Sequence, residues 1–200
     1  LKTWNEKMNL TAITEYEEVL EKHFYDCIIP LKNAYVQGSV LDVGSGAGFP
    51  GLVWKIMKPE LQVTLLEPTG KRCTFLKEVI SHLHLENILV VNERAEEFVI
   101  NHRESFDVVT ARAVANLNVL SELCVPLVKV GGYFYALKGA KGKEEELSAS
   151  KAMTILGMEL KEEEHYTLPS GERVNLIYVK VKPTDKKYPR NYGQIKKKPL

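Results

Sequence analysis

The sequence predicts an α/β domain: a doubly wound, seven-stranded, mostly parallel sheet finished by a C-terminal antiparallel hairpin. Three observations predict it. Short apolar runs alternate with helical stretches between residues 40 and 137. A glycine-rich turn follows the first of those runs. Two strand-like segments, 158–167 and 173–181, then face each other across Leu168-Pro169-Ser170-Gly171. Proline and glycine pre-set turn geometry there.

Taken in order, the chain first shows Thr14 ahead of Glu15 and Glu17, then apolar Val19, Leu20, Phe24, Cys27 and Ile28. This spacing predicts a helix of about 15 residues with an N-cap and an acidic first turn. A connection spans 32–39. Strands are predicted at 40–43, 63–66, 88–91, 108–110 and 133–137. Helices are predicted between them at 51–58, 71–82, 95–101 and 116–129. Buried apolar strands separated by helices indicate parallel β-α-β units with right-handed crossovers. A helix over 144–156 precedes the hairpin. The domain expectation is a helical cap over 1–38, a ligand-binding domain over 39–182 and a basic tail over 183–200.

The bulk composition fits a globular domain with a sizeable core. Hydrophobic residues make up 44% and charged residues 26% of 200. No apolar run approaches the roughly 20 residues that span a bilayer, and no signal-peptide pattern opens the chain. Cys27, Cys73 and Cys124 are isolated, which predicts free thiols in a reducing cytoplasm and no metal site. Charge is uneven. From 180 to 200, eight basic residues against one acid leave +7; the net charge is +1, so the rest carries −6. A basic tail on an acidic body points to an anionic macromolecule, or to solubilising charge.

The richest segment is Val40-Leu41-Asp42-Val43-Gly44-Ser45-Gly46-Ala47-Gly48-Phe49-Pro50-Gly51. Its glycines allow a sharp turn and close approach of a ligand. Pro50 or Gly51 should open the next helix, whose free N–H groups favour polar or anionic ligand groups. The dinucleotide pattern G-x-G-x-x-G fails, because its third glycine falls on Phe49. The observed G-x-G-x-G, with Asp42 two residues ahead, resembles motif I of the Rossmann-like class I S-adenosylmethionine methyltransferases. The second strand ends on Glu67, 23 residues after Gly44. An acid about 20 residues on can accept hydrogen bonds from both ribose hydroxyls of a nucleoside. Past the third strand, Ala95 and Glu96 stand where methyltransferases line the adenine pocket; taken alone, Glu96 and Glu97 are better explained as a charged first helical turn.

The fourth strand runs into Thr110-Ala111-Arg112-Ala113-Val114-Ala115. It lacks the Asn/Asp-Pro-Pro-aromatic motif of amine methylation, and Cys124 does not follow proline as a cytosine C5 nucleophile would. A ring nitrogen with its own lone pair needs neither device. Trp4-Asn5-Glu6-Lys7-Met8-Asn9-Leu10-Thr11, Lys22-His23-Phe24-Tyr25-Asp26, the glycine segment, Arg112-Ala113-Val114-Ala115, and Tyr188-Pro189-Arg190 with Lys197-Lys198-Pro199-Leu200 together resemble the glucose-inhibited division protein B family.

That resemblance covers nearly the whole chain. It implies a cytoplasmic, monomeric 16S ribosomal RNA methyltransferase acting on guanine N7, at guanine 527 in the family. It implies S-adenosylmethionine as donor, and 16S rRNA or a small-subunit precursor as partner. Gly44 and Phe49 match its cofactor-loop positions, Ala95 and Glu96 its adenine side, and Arg112 its binding arginine. Asp42, Gly46, Gly48 and Glu67 follow the general class pattern. No general base is expected, so Arg112 would act in catalysis by positioning. Its planar fork suits a phosphate, the donor's carboxylate or guanine O6. Expected RNA contacts are Lys138, Lys141, Lys143, Arg190, Lys196, Lys197 and Lys198. His23 and Asp26 suit a polar cap over the pocket or a surface pair. The family carries further helical residues ahead of the position of Leu1, so a truncated N-terminus is expected. The 191–195 stretch is less basic than the family tail. A small-molecule methyltransferase, a nicotinamide dehydrogenase and a non-catalytic RNA-binding module are the rival readings. Phe49 argues against the second, and the Asp42, Glu67 and Arg112 set against the third.

Overall fold

A computed structural model describes residues 1–200. In chain order the elements are α1 (Lys2–Met8), α2 (Tyr16–Val19), a π-helical segment (Leu20–Tyr25), α3 (Asp26–Ile28), β1 (Ser39–Val43), α4 (Gly51–Met57), β2 (Gln62–Leu66), α5 (Gly70–His82), β3 (Ile88–Val91), α6 (Ala95–His102), β4 (Phe106–Arg112), α7 (Leu117–Cys124), β5 (Val128–Gly139), α8 (Gly142–Leu156), β6 (Met158–Leu168), β7 (Gly171–Lys180) and α9 (Tyr192–Lys197). The sheet has seven strands in the order β3-β2-β1-β4-β5-β7-β6. No helix is long and apolar enough to cross a membrane.

The chain gathers into two compact units, Leu1–Arg94 and Ala95–Leu200. In the first, β1, β2 and β3 are parallel, with Val40 opposite Val63 and Val63 opposite Ile88. β1 is buried from Val40 to Val43, whereas β3, at the edge of the sheet, leaves Leu89 exposed. Leu41, Leu65, Trp54 and Leu76 are fully buried, and the Trp54 indole N–H donates to the Cys27 carbonyl at 2.8 Å. In the second unit β4 and β5 are parallel, and β5–β7 and β7–β6 are antiparallel. The predicted hairpin is therefore present, turning between Leu168 and Gly171. Phe134 and Tyr178 stack across β5 and β7, with ring centroids 6.4 Å apart.

Four details differ from the sequence expectation. The helix expected from Thr14 begins at Tyr16 on an extended Glu15 and passes through the π-helical segment before α3. The helix expected to reach 129 stops at Cys124, where Pro126 has no N–H to continue it, and β5 starts at Val128. α1 is an additional element that the apolar spacing does not signal. The basic tail is packed rather than extended: Thr184, Tyr188 and Ile195 are buried, and the Asn191 side chain caps α9 by accepting from Gln194 N.

Candidate functional site

β1 delivers the chain into the glycine turn. Gly44 and Ser45 N–H groups donate to the Leu66 carbonyl at 2.8 and 3.2 Å, which ties the turn to the end of β2. Gly48 and Phe49 N–H groups then donate back to Ser45, and α4 begins at Gly51 as expected. Gly46 has φ +57°, and a Cβ placed there would meet nothing nearer than the Gly44 carbonyl at 3.9 Å. It opens onto free space. A Cβ at Gly48 would strike the Leu52 side chain at 2.2 Å. Gly48 therefore serves the packing of α4 as well as the turn.

Glu67 directly follows β2 and is 2% exposed. One carboxylate oxygen accepts from Gly46 N–H and the other from Thr69 N–H, each at 2.9 Å. Both donors are neutral backbone groups, and each carboxylate oxygen keeps acceptor capacity beyond one bond. Asp42 is fully buried, and its Oδ2 accepts from Gly51 N–H at 2.9 Å. That acid braces the start of α4 against the end of β1.

In the second unit, Ala95 and Glu96 open α6, Ala95 buried and Glu96 half-buried. Arg112 is the last residue of β4 and half-buried. Ala113 then takes φ +56°, a left-handed conformation uncommon for a residue with a Cβ. Strain of this kind concentrates at functional turns. The turn is clamped: Lys138 Nζ donates to the Ala115 carbonyl at 2.9 Å and pairs with Glu145 at 2.8 Å. Glu145 also accepts from Leu117 N–H at 2.7 Å.

That clamp corrects the assignment of Lys138 to RNA, since its ammonium is buried among protein acceptors. Arg190 is a second correction. Its Nε and Nη2 form a fork on Glu122, at 2.8 and 2.6 Å, and its backbone N–H donates to the same carboxylate. The guanidinium is therefore engaged inside the fold. Lys141 is exposed. Lys143 is half-exposed and pairs with Glu163, whose hydrogen bond raises the lysine pKa. Lys196, Lys197 and Lys198 are exposed at the end of α9.

Residues 1–173 match the family model of the rRNA small subunit methyltransferase G, GidB. The chain belongs to that family. The ribosomal RNA small subunit methyltransferase G of Lysinibacillus sphaericus is 53% identical over 98% of this chain and 85% of its own length. The Lactobacillus helveticus protein of the same name is 50% identical over the same shares. Among solved structures, an S-adenosylmethionine-dependent methyltransferase from Aquifex aeolicus aligns with TM-score 0.63 at 15% identity, over 90% of this chain and 99% of that one. A variant of the 16S rRNA (adenine(1408)-N(1))-methyltransferase of Catenulisporales acidiphilia aligns with TM-score 0.61 at 17% identity, over 76% of this chain and 89% of that one. These two establish the Rossmann-like fold.

As a member of the GidB family, the chain is an S-adenosylmethionine-dependent methyltransferase of ribosomal RNA. The residues present fit that donor: the open face at Gly46 leaves room where a side chain would fill it, beside a buried carboxylate at Glu67. The structure also shows contacts of this methyltransferase that the sequence does not signal. Thr11 reaches His23, and Phe24 reaches Phe49, across separations that no local period signals. His23 and Asp26, 7% and 6% exposed, do not form a surface pair. Glu122 and Glu145 had no marker beyond lying in or near an apolar helical stretch. Lys180 sits buried on β7 and donates to the Val125 and Val128 carbonyls and to Glu104.

Proposed function

We propose that this enzyme methylates N7 of a guanine in 16S rRNA, at the position corresponding to the family's guanine 527. The observation that carries the reading is the glycine turn with an open face at Gly46 and Glu67 directly beneath it, in a chain of the GidB family. When bound, S-adenosylmethionine supplies a sulfonium-activated methyl group. Guanine N7 already holds an in-plane lone pair, so no proton has to leave before transfer, and no side chain is assigned as a general base.

The chain's own work is then positioning and electrostatics. The 44–48 turn offers backbone N–H groups and space. Glu67 is assigned the ribose hydroxyls, which replace or join its present backbone donors. Phe49, Ala95 and Glu96 are assigned to the cofactor as the family pattern implies. Arg112 is assigned a grip on an anionic or carbonyl oxygen: a phosphate, the donor's carboxylate or guanine O6. Lys141, Lys143, Lys196, Lys197 and Lys198 are assigned to RNA phosphates, which give affinity without reading sequence. The guanine is reached unstacked, as RNA bases are read. Residues 1–38 act as a cap on the donor side, and 183–200 carry basic charge. The protein works as a monomer in the cytoplasm on RNA or a small-subunit precursor.

The test is direct. The full chain is incubated with radiolabelled donor and either naked 16S rRNA or small-subunit particles, and the labelled nucleoside is identified. 7-Methylguanosine at the expected position supports the reading. Label in another nucleoside, or only in small molecules, overturns it.

A further inference from the structure

A buried imidazole stands behind the glycine turn, and nothing in the transfer chemistry employs it. His23 lies in the π-helical segment and is 7% exposed. Its ring stacks on Phe49, with centroids 4.7 Å apart and planes 15° apart. Phe24, the next residue, meets the same Phe49 ring edge-on at 5.3 Å and 88°. In an α-helix, adjacent side chains point about 100° apart and rarely share one partner. The wider π turn lets both rings converge, and such local π segments recur at functional sites.

The far side of the imidazole is also fixed. His23 Nε2 lies 2.8 Å from the Thr11 hydroxyl. That hydroxyl accepts from Ile13 N–H at 3.1 Å. Thr11 N–H in turn donates to the Asn5 side chain at 2.8 Å, which anchors the stretch to α1. Simple packing against Phe49 would be met by a phenyl ring. A polar ring at this depth carries a desolvation cost unless it is hydrogen-bonded, and here the bond fixes its rotation. Phe49 belongs to the turn itself: its N–H donates to Ser45, whose own N–H reaches the end of β2.

We infer that His23 is a positioning residue for the methyl donor: held by Thr11, it fixes the plane of the Phe49 ring and with it the 45–49 turn. The inference rests on the reading of that turn as the donor site. Neither His23 nor Thr11 exchanges a proton with substrate. Their effect falls on donor affinity and leaves RNA affinity and the transfer step alone.

The experiment measures S-adenosylhomocysteine binding by calorimetry on the full chain, with thermal melting alongside. The variants are Thr11→Val, Thr11→Ser, His23→Phe and the Thr11→Val/His23→Phe pair. His23→Phe keeps the stack and loses the bond; Thr11→Ser keeps the bond. Thr11→Val and His23→Phe are expected to weaken binding about 2- to 10-fold, the effect of one neutral hydrogen bond. The pair is expected to lose less than the sum of the two single losses, because the Thr11–His23 bond is common to both, while Thr11→Val also removes the acceptor of Ile13 N–H. Thr11→Ser is expected to bind like the parent. In steady state, KM for the donor rises by the same factor while KM for RNA and kcat stay within about twofold. Unchanged donor affinity in Thr11→Val and His23→Phe, with melting lowered, makes the pair packing only and overturns the inference. So does a rise in RNA KM instead of donor KM. Failure of the unaltered chain to bind S-adenosylhomocysteine overturns the donor-site reading itself.

Discussion

Two buried glutamates are held in opposite ways. Glu67, in the first unit, accepts from the backbone N–H groups of Gly46 and Thr69, with only the part-exposed Arg72 guanidinium as a charged neighbour, at 3.9 Å. Glu122, in the second, is gripped by the guanidinium and backbone N–H of Arg190, 68 residues away. Neutral donors can be exchanged for a ligand's hydroxyls without stranding a charge. A guanidinium cannot be withdrawn from a fully buried carboxylate without leaving that charge unmatched. The difference in partners, not in burial, is what suits Glu67 to the ligand role proposed for it and commits Glu122 to the fold.

The largest expected effect breaks the committed pair. Arg190→Ala leaves Glu122 uncompensated, a loss of about 3–5 kcal/mol for a buried pair. For a chain of this size that lowers Tm by roughly 6–20 °C. Replacing both residues with methionine is expected to recover much of the loss, because neither charge is then stranded. Thermal and urea unfolding check both variants. The RNA-binding salt slope should not move in Arg190→Ala, and a change equivalent to about one neutralised phosphate would restore the residue to the RNA surface.

At Glu67 the balance is expected to reverse. Under the proposed role, Glu67→Ala removes a carboxylate acceptor of two ribose hydroxyls, and a hydrogen bond to a charged group is worth about 1.5–3 kcal/mol. Donor affinity should fall at least roughly 10- to 150-fold. Melting should move far less than in Arg190→Ala, because the groups that lose an acceptor are neutral backbone N–H groups rather than a partner charge. Calorimetry with S-adenosylhomocysteine checks this, and unaltered affinity would leave Glu67 as a backbone clasp alone. Arg112 supplies the matching test in the second unit. If its fork is what matters, Arg112→Lys should lose transfer about as badly as Arg112→Ala, again ~10- to 150-fold in kcat/KM. Near-normal Arg112→Lys would mean that a local positive charge suffices.

Why is Glu67 legible in the sequence and Glu122 not? Glu67 is marked by order along the chain: apolar strand, glycines, helix, second strand, acid. Parallel β-α-β geometry brings the end of β2 beside the end of β1, so sequence order translates into space. The hairpin is legible for a similar reason, since its turn residues lie between the segments they join. Glu122 and Arg190 belong to no such local grammar. Their pairing depends on where the tail folds back, and a run of basic residues reads the same whether it faces solvent or a carboxylate. Lys180 shows this again, counting as tail charge in the sequence yet fully buried against Glu104 and two carbonyls. The π-helical segment is hidden because apolar spacing over 19–28 matches an ordinary helix. The Asp42 brace is hidden because a position two residues ahead of the glycines fits both a ligand contact and a brace for α4.

Charge pairing of this committed kind should also show in acid. Burial alone would raise the Glu104 pKa, but the hydrogen bonds from Lys180 and Thr184 N–H outweigh it and hold the carboxyl below its ordinary value. A carboxylate depressed in the folded state contributes stability that is present above its unfolded pKa and lost as pH falls through the folded one. Stability should therefore decline as pH drops below about 4.5. Glu104→Gln should flatten that limb, as measured by urea unfolding across the acid range. An unchanged slope would place the acid sensitivity elsewhere.

The smallest effect on the fold is expected at the lysines that remain outside it. Lys196, Lys197 and Lys198 follow one another at the exposed end of α9, while Ile195 beside them is buried and anchors the helix. Lys180 and Arg190 are packed against carboxylates, whereas these three are exposed, so their charge is directed to solvent or to a polyanion. Converting all three to glutamine should leave stability within about 0.5 kcal/mol per site. RNA affinity should fall, and the log–log salt slope should flatten by ~0.7 for each single-strand phosphate no longer neutralised, or about two units if all three engage. Donor affinity should be unchanged if, as proposed, the glycine turn and Glu67 carry that binding. A filter-binding series over salt concentration distinguishes the outcomes. A flattened slope makes these lysines the RNA-facing part of the tail. A constant slope leaves them as solubilising charge and shifts the RNA contacts to Lys141 and Lys143.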